Sequence, residues 1–181
     1  MRQKMKIANI FGAVSSLAII VSMGSIAQHA VASNMLEVEA ETFNQERECL
    51  ALNIYHEARS ESVTGQRAVG WVTMNRVQSN HFPNTVCDVV YQGNQDGDGN
   101  MIRHQCSFSW YCDGRDDSPQ DSVAFIEAEL VAEYILSRHE QDTDPTAGAD
   151  HYHTDAVNPY WASADHRTVQ IDNHIFYGLY N

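Results

Sequence analysis

The segment Cys49-Leu50-Ala51-Leu52-Asn53-Ile54-Tyr55-His56-Glu57-Ala58-Arg59-Ser60-Glu61 constrains the fold more than any other part of the chain. Leu50, Ile54 and Ala58 recur every four residues, which marks the core-facing side of a helix. Glu57 borders that stripe, and Glu61 follows one turn later. Arg59 lies two positions from each, so a regular helix points it away from both, and a structural salt bridge is its expected role. A carboxylate at the edge of an apolar face loses hydration, which raises its pKa toward the range of a general acid. The alternative is two ordinary solvated helix carboxylates.

The 181 residues suffice for one domain with its own core. They do not begin with that domain. Arg2, Lys4 and Lys6 precede an apolar run from Ile7 to Ile26, and Ala30-Val31-Ala32 gives a small-x-small pattern before Ser33. This reads as a signal peptide over residues 1–32, removed on export. A retained anchor is the alternative, because the run approaches the length of a membrane span. After removal, no stable membrane insertion is expected. Residues 33–45 are acidic and polar and read as a mobile leader, with the folded domain over 46–181. Losing residues 1–32 removes three basic and no acidic side chains, taking the formal charge from −13 to −16. So acidic a domain argues against nucleic acid and anionic lipid headgroups as partners, and no nucleic acid is expected. Nothing in the sequence specifies an oligomeric state.

Cys49, Cys87, Cys106 and Cys112 are an even set in an exported chain, which implies two disulfides with three possible pairings. Cys49–Cys87 and Cys106–Cys112 are the pairs expected. The first ties the opening helix to a later segment and the second closes a small aromatic loop. No C-x-x-C pair supports a zinc site.

Along the chain, Thr42 and Gln45 resemble a capping box for a helix over Asn44–Arg59. A second helix is expected over Gly65–Gln78 with Thr64 as N-cap, ended by Pro83. Thr85–Tyr91 has strand composition but suits a short helix equally. Asn94-x-Asp96-x-Asp98-Gly99 is close to the first half of a calcium loop. Its closing position is Gln105 rather than a bidentate glutamate, and no flanking helix is evident, so a polar turn is the plainer reading. Residues 105–114 suit a strand or hairpin. Ser118-Pro119-x-Asp121 announces a helix to about Ser137. Val169–Ile171 and His174–Tyr177 read as strands. The fold class is α+β, with three or four helices and a small sheet.

Several chemistries are excluded or weakened. His56-Glu57 begins the zinc motif H-E-x-x-H, but position 60 is Ser, so the second ring is missing. His151-x-His153, His166 and His174 leave a zinc peptidase or amidase open as the rival enzyme. There is no G-x-S-x-G elbow and no glycine-rich phosphate loop. No metal or other cofactor is expected. Glycan cleavage asks for less: one protonated carboxylic acid at the glycosidic oxygen, with a second carboxylate or the sugar's own hydroxyl completing the reaction. Tyr55, Phe108, Trp110, Tyr111, Tyr152, Tyr160 and Trp161 could supply sugar-facing rings, though each taken singly suits the core.

Tyr55-His56-Glu57-Ala58-Arg59-Ser60-Glu61, Gly65-Gln66-x-Ala68-Val69, Asn75-Arg76-Val77 and Phe82-Pro83-x-Thr85-Val86 together resemble the SleB/CwlJ-type cell-wall hydrolases. Phe108 to Gly114, Asp144-Pro145-Thr146-Ala147-Gly148-Ala149 with Tyr152, and His174-x-Phe176 resemble that family's later blocks, in the right order. The resemblance covers about residues 49–177. It implies a lysozyme-like α+β fold, mainly helical with a small antiparallel sheet, and action on peptidoglycan glycan strands outside the cytoplasm, in the periplasm or beyond it. The family's essential acid maps onto Glu57. His56 and Ser60 replace the motif's glycines, and the four cysteines are foreign to the spore enzymes, so spore-cortex specificity does not carry over.

The resulting expectation is a peptidoglycan glycosidase of lytic transglycosylase or muramidase type with Glu57 as its single general acid/base. Tyr55, Glu61, Gln66, Asn75, Phe108, Trp110 and Tyr152 are the expected substrate-side residues. Of these, Gln66 and Asn75 should brace the site, and Phe108 and Tyr152 should wall it. A catalytically inactive wall-binding module is the rival outside the enzymes.

Overall fold

The computed structural model describes residues 14–180, with side chains described from residue 31 onward. Of the expected signal peptide, residues 1–13 and all side chains before residue 31 lie outside the described residues. No helix among the described residues is long and apolar enough to cross a membrane. Contacts divide the chain into residues 1–43 and 44–181.

Helix α1 spans Val14–Ala58. The first unit contributes its N-terminal part, and side chains 31–43 there are exposed. The sequence reading starts the first helix at Asn44 and treats 33–45 as leader. The helix instead runs through 33–45, where Met35, Leu36, Ala40 and four glutamates between 37 and 46 are good helix formers. The expected capping box is not used. Thr42 Oγ1 donates to the Val38 carbonyl four residues back (2.9 Å), a bond made inside a continuing helix.

In the second unit, α1 delivers Leu50, Ile54 and Ala58 to the core, each fully buried. Helix α2 (Val63–Gln78) begins at Ser62, whose side chain accepts from the Gly65 N–H. Ser62 takes the cap because its hydroxyl is also held by Asp172, so the helix starts earlier than the Thr64 cap expected from sequence. α2 is buried on two sides. Trp71 and Met74 join α1, α3 (Val86–Val90) and α4 (Ser122–Arg138) in the larger core, while Ala68 and Val72 pack with Ala149 and Phe176 in a second one. Gly70 permits this closeness, since a Cβ there would collide with the Ile135 side chain.

Residues 86–90 resolve as helix, with the Thr85 side chain accepting from the Asp88 N–H. β1 (Gly93–Gln95) and β2 (Met101–Cys106) form a two-stranded antiparallel ladder. The chain then turns through a short 3-10 helix, Ser109–Cys112, rather than extending as a strand to Gly114. α4 starts at Ser122, later than Ser118-Pro119 suggests. The Tyr55 hydroxyl accepts both the Gln120 and Asp121 N–H groups (3.0 Å each), holding that segment against α1, and Asp121 becomes the N-cap. The last part is a three-stranded antiparallel sheet in the order β3 (His151–Thr154), β5 (His174–Tyr177), β4 (Arg167–Ile171).

The cysteines pair as Cys49–Cys87 and Cys106–Cys112, as expected. The first joins α1 to α3, and the second closes the aromatic loop. Asp96 turns its carboxylate onto the Asp98 and Asn100 N–H groups (3.0 and 2.9 Å), so the calcium-like segment is a polar turn closed on its own backbone.

Candidate active site

Glu57 sits in the last turn of α1. The helix ends at Ala58, so its final carboxylate projects beyond the packed stripe toward β3 and β2. There it lines a cleft of about 150 Å³ with Arg76, Cys106, Ser107, Phe108, Ser109 and Tyr152. The Tyr152 hydroxyl donates to Glu57 Oε2 at 3.1 Å. Burial pushes the Glu57 carboxyl above its ordinary range, against the Tyr152 hydrogen bond and the Arg76 charge, which both pull it down. The Tyr152 phenol is driven well upward by burial and by the adjacent carboxylate, so it stays a donor.

Tyr152 is aimed by its strand and the loop before it. In β3 it pairs with Phe176 of β5, and the His174 ring meets its face edge-on with centroids 5.0 Å apart. The preceding loop is built on Asp144, which accepts from the Thr146 and Gly148 N–H groups (2.7 Å each). Ala147 and Gly148 both take left-handed backbone there, at φ 54° and 84°. Asn75 of α2 clamps this loop, donating to Asp144 Oδ2 and to the Ala149 carbonyl at 2.9 Å each.

The expected site residues therefore separate. Glu57, Phe108 and Tyr152 meet in the cleft. Asn75 braces it from behind. Gln66 is buried and donates weakly to the Glu61 carbonyl at 3.4 Å, bracing the turn between α1 and α2. Glu61 is not among the residues that line the cleft. It accepts from the backbone N–H and the side chain of Asn173 (3.2 and 3.0 Å) at the β4–β5 hairpin. Tyr55 and Trp110 are buried and committed elsewhere. Tyr55 holds the start of α4, and Trp110 donates to Asn53 Oδ1 (3.1 Å) while stacking on His56 at 4.5 Å. Neither lines the cleft. Arg59 takes part in no ion pair among the described side chains and lies over the Tyr55 ring instead, at 5.0 Å.

Arg76 escaped the sequence reading as a site residue. Its signal was present: Val69, Val72 and Arg76 fall on one helical face, which puts a cation on an apolar stripe. Three histidines of the zinc alternative, His151, His153 and His174, are otherwise engaged. His151 contacts Asp150 (2.8 Å), His153 contacts the Tyr177 hydroxyl (3.0 Å), and His174 packs on Tyr152. Among the described residues no three His, Cys, Asp or Glu side chains are grouped to hold a metal ion.

The model of the cell wall hydrolase family matches residues 60–177. The chain belongs to that family. The match begins three residues after Glu57, so the candidate acid stands just outside it. Among solved structures, the catalytic domain of the SleB protein of Bacillus cereus is 29% identical, covering 74% of this chain and 90% of that one, with a TM-score of 0.52. The catalytic domain of the germination-specific lytic transglycosylase SleB from Bacillus anthracis is 28% identical, covering 73% and 93%, with a TM-score of 0.53. The α+β fold expected from the sequence is the fold this hydrolase shares with them. No curated protein matches the chain.

Proposed function

We propose that this cell wall hydrolase is an exported peptidoglycan glycosidase in which Glu57 is the general acid and then the general base. The observation that carries the reading is the Glu57 carboxyl itself, desolvated in a cleft and held by one neutral donor, Tyr152. A carboxyl held above its ordinary range keeps its proton long enough to give it to a glycosidic oxygen. After the bond breaks, the carboxylate takes a proton from the muramic C6 hydroxyl in lytic cleavage, or from water in hydrolysis. Phe108 gives the cleft an apolar wall. The second solved relative, named a lytic transglycosylase, supports the first of these routes.

Export follows from the leader pattern, the two disulfides and a substrate that lies outside the cytoplasm. Residues 1–32 are the segment removed, and 46–181 the catalytic domain.

The test is digestion of purified peptidoglycan followed by mass spectrometry of the released fragments. Glycosidase action yields disaccharide-peptides, and lytic cleavage yields muramic ends lighter by one water. Activity is expected to persist in EDTA and to fall by about a hundredfold or more in Glu57→Gln. Loss in EDTA with free peptides as products would turn the assignment to a metal-dependent peptidase or amidase. Equal digestion by both proteins would remove Glu57 from the reaction.

A further inference from the structure

Arg76 is a charged group in this cleft that makes no direct ion pair with a carboxylate among the described side chains. Its residue surface is only 6% exposed, and a buried guanidinium is costly unless an opposite charge offsets it. Nε donates to the Asp150 carbonyl at 2.7 Å, and the rings of Phe82 and Phe108 lie 5.2 and 4.9 Å from its central carbon. Nη1 is shielded from water and has no hydrogen-bond partner. Arg76 joins no ion pair among the described side chains. The Asp150 carboxylate is spent on His151 and on the Leu179 and Tyr180 N–H groups, at 2.8, 2.9 and 3.0 Å. The carboxyl that shares the cleft with Arg76 is Glu57. Asp150 and Glu57 both act on the Arg76 charge, and of the two Glu57 is the one that lines the cleft with it.

We propose that Arg76 is the charge partner of the carboxylate formed on Glu57 when the proton leaves, a positioning residue that acts through Glu57 and touches no reacting atom. The inference rests on the glycosidase reading above. In the first step the Glu57 proton moves to the glycosidic oxygen. The C1–O bond breaks with its electron pair going to that oxygen, which leaves positive charge on the sugar and negative charge on Glu57. Arg76 offsets the negative charge where water has little access. In the second step the C6 hydroxyl oxygen, or a water oxygen, bonds to C1 and its proton goes to Glu57. The guanidinium then no longer faces a charge on Glu57. This arrangement gives an acid held up by burial and a conjugate base that is nonetheless tolerable.

The charged and titratable groups around the pair are few. Glu57 faces Arg76 from α2 and Tyr152 from β3, and Arg76 also faces Asp150, Tyr152 and Tyr180. Burial holds the Tyr152 phenol well above its ordinary range, so it does not ionise at neutral pH. His174 stands behind the Tyr152 ring, with its own proton affinity lowered by burial.

The test has two arms. In the first, kcat and KM are measured against pH on glycan fragments for the native protein, Arg76→Gln and Arg76→Lys. Arg76→Gln should lower kcat about tenfold with little change in KM, and move the alkaline limb to higher pH, since the carboxylate loses its partner. Arg76→Lys should return the limb toward the native position. A folded Arg76→Gln protein with the native limb overturns the proposal. The second arm needs no change at Arg76. In the native protein the Arg76 Nε resonance should titrate with the Glu57 carboxyl carbon, and in Glu57→Gln it should be flat through that range. A resonance flat in the native protein overturns the proposal whether or not Arg76→Gln folds. If Glu57→Gln digests peptidoglycan normally while the resonances track each other, the pairing stands and the catalytic reading of Glu57 falls.

Discussion

Glu57 and Glu61 lie one helical turn apart in sequence and end in opposite surroundings. Glu57 receives a single hydroxyl donor inside a cleft where burial raises its proton affinity. Glu61 lies beyond the end of α1 and receives two N–H donors from Asn173 at a hairpin tip. Loss of hydration disfavours the charged form of a carboxylate, which is what raises Glu57. In the proposed reaction the first glutamate gives up a proton, while the second joins the end of α1 to the β4–β5 hairpin. Four residues of spacing do not decide this. The end of α1 at Ala58 does, because the chain leaves the helix between the two carboxylates.

The largest expected effect is on the first of the pair. Glu57→Gln keeps the shape and loses the proton, so cleavage of purified peptidoglycan should fall by about a hundredfold or more, the usual range for a general acid. The thermal transition should remain cooperative. If Glu61→Gln instead produced that loss while Glu57→Gln did not, the two roles would be exchanged.

Tyr152 sharpens the contrast, because its hydroxyl is the donor that Glu57 has in place of Glu61's N–H groups. Tyr152→Phe removes a bond that favours the carboxylate, so the alkaline limb of kcat/KM should move to higher pH. Activity at the optimum should drop about tenfold, as a lost hydrogen bond to a charged group allows. A limb that stays in place would mean that the 3.1 Å contact contributes nothing to the acid.

A smaller effect separates the two glutamates through stability. Glu57 binds its proton more tightly in the folded chain than in the unfolded one. Its contribution therefore favours folding at low pH and is lost as pH rises from the unfolded value, about 4.3, through the folded one. Glu57→Gln abolishes that titration. The variant should melt higher than the native protein at pH 7, and the difference should close below about pH 4. Equal melting temperatures at both pH values would indicate a solvated carboxylate.

The sequence displayed the first half of this contrast better than the second. The spacing of Leu50, Ile54 and Ala58 sufficed to place Glu57 beside a core, because helix periodicity is local. The partners of Glu61 and of Arg76 come from 112 and 74 residues away, through a hairpin and a loop whose positions follow from packing. Tyr55 and Trp110 looked like groove aromatics, since an amphipathic ring suits a sugar and a core equally. Their polar atoms meet the Gln120 and Asp121 N–H groups and the Asn53 Oδ1 inside the protein. Helix α4 begins late for a related reason: a distant hydroxyl, and not the local Ser118-Pro119 signal, takes the backbone there. Local chemistry was legible, and the choice among distant partners was not.

The smallest effect expected is at Glu61. Its latch is reinforced next door, where the Ser62 N–H and hydroxyl both donate to Asp172 Oδ2, at 3.0 and 2.6 Å. Gly65 gives that carboxylate room, since a Cβ there would collide with it. Asp172 itself takes left-handed backbone, φ 50°, so the hairpin turn is held in place by these contacts rather than by its own preference. Glu61→Gln keeps one acceptor oxygen and gives up charge assistance to two exposed bonds. The cost should be about 1 kcal/mol, read as a shift in denaturant midpoint at unchanged m-value. Cleavage under saturating substrate should stay within about twofold, because no atom of Glu61 lines the cleft. A large loss of kcat without loss of stability would show that the hairpin latch reaches Glu57, through His174 on β5 and the Tyr152 ring it packs on in the neighbouring β3.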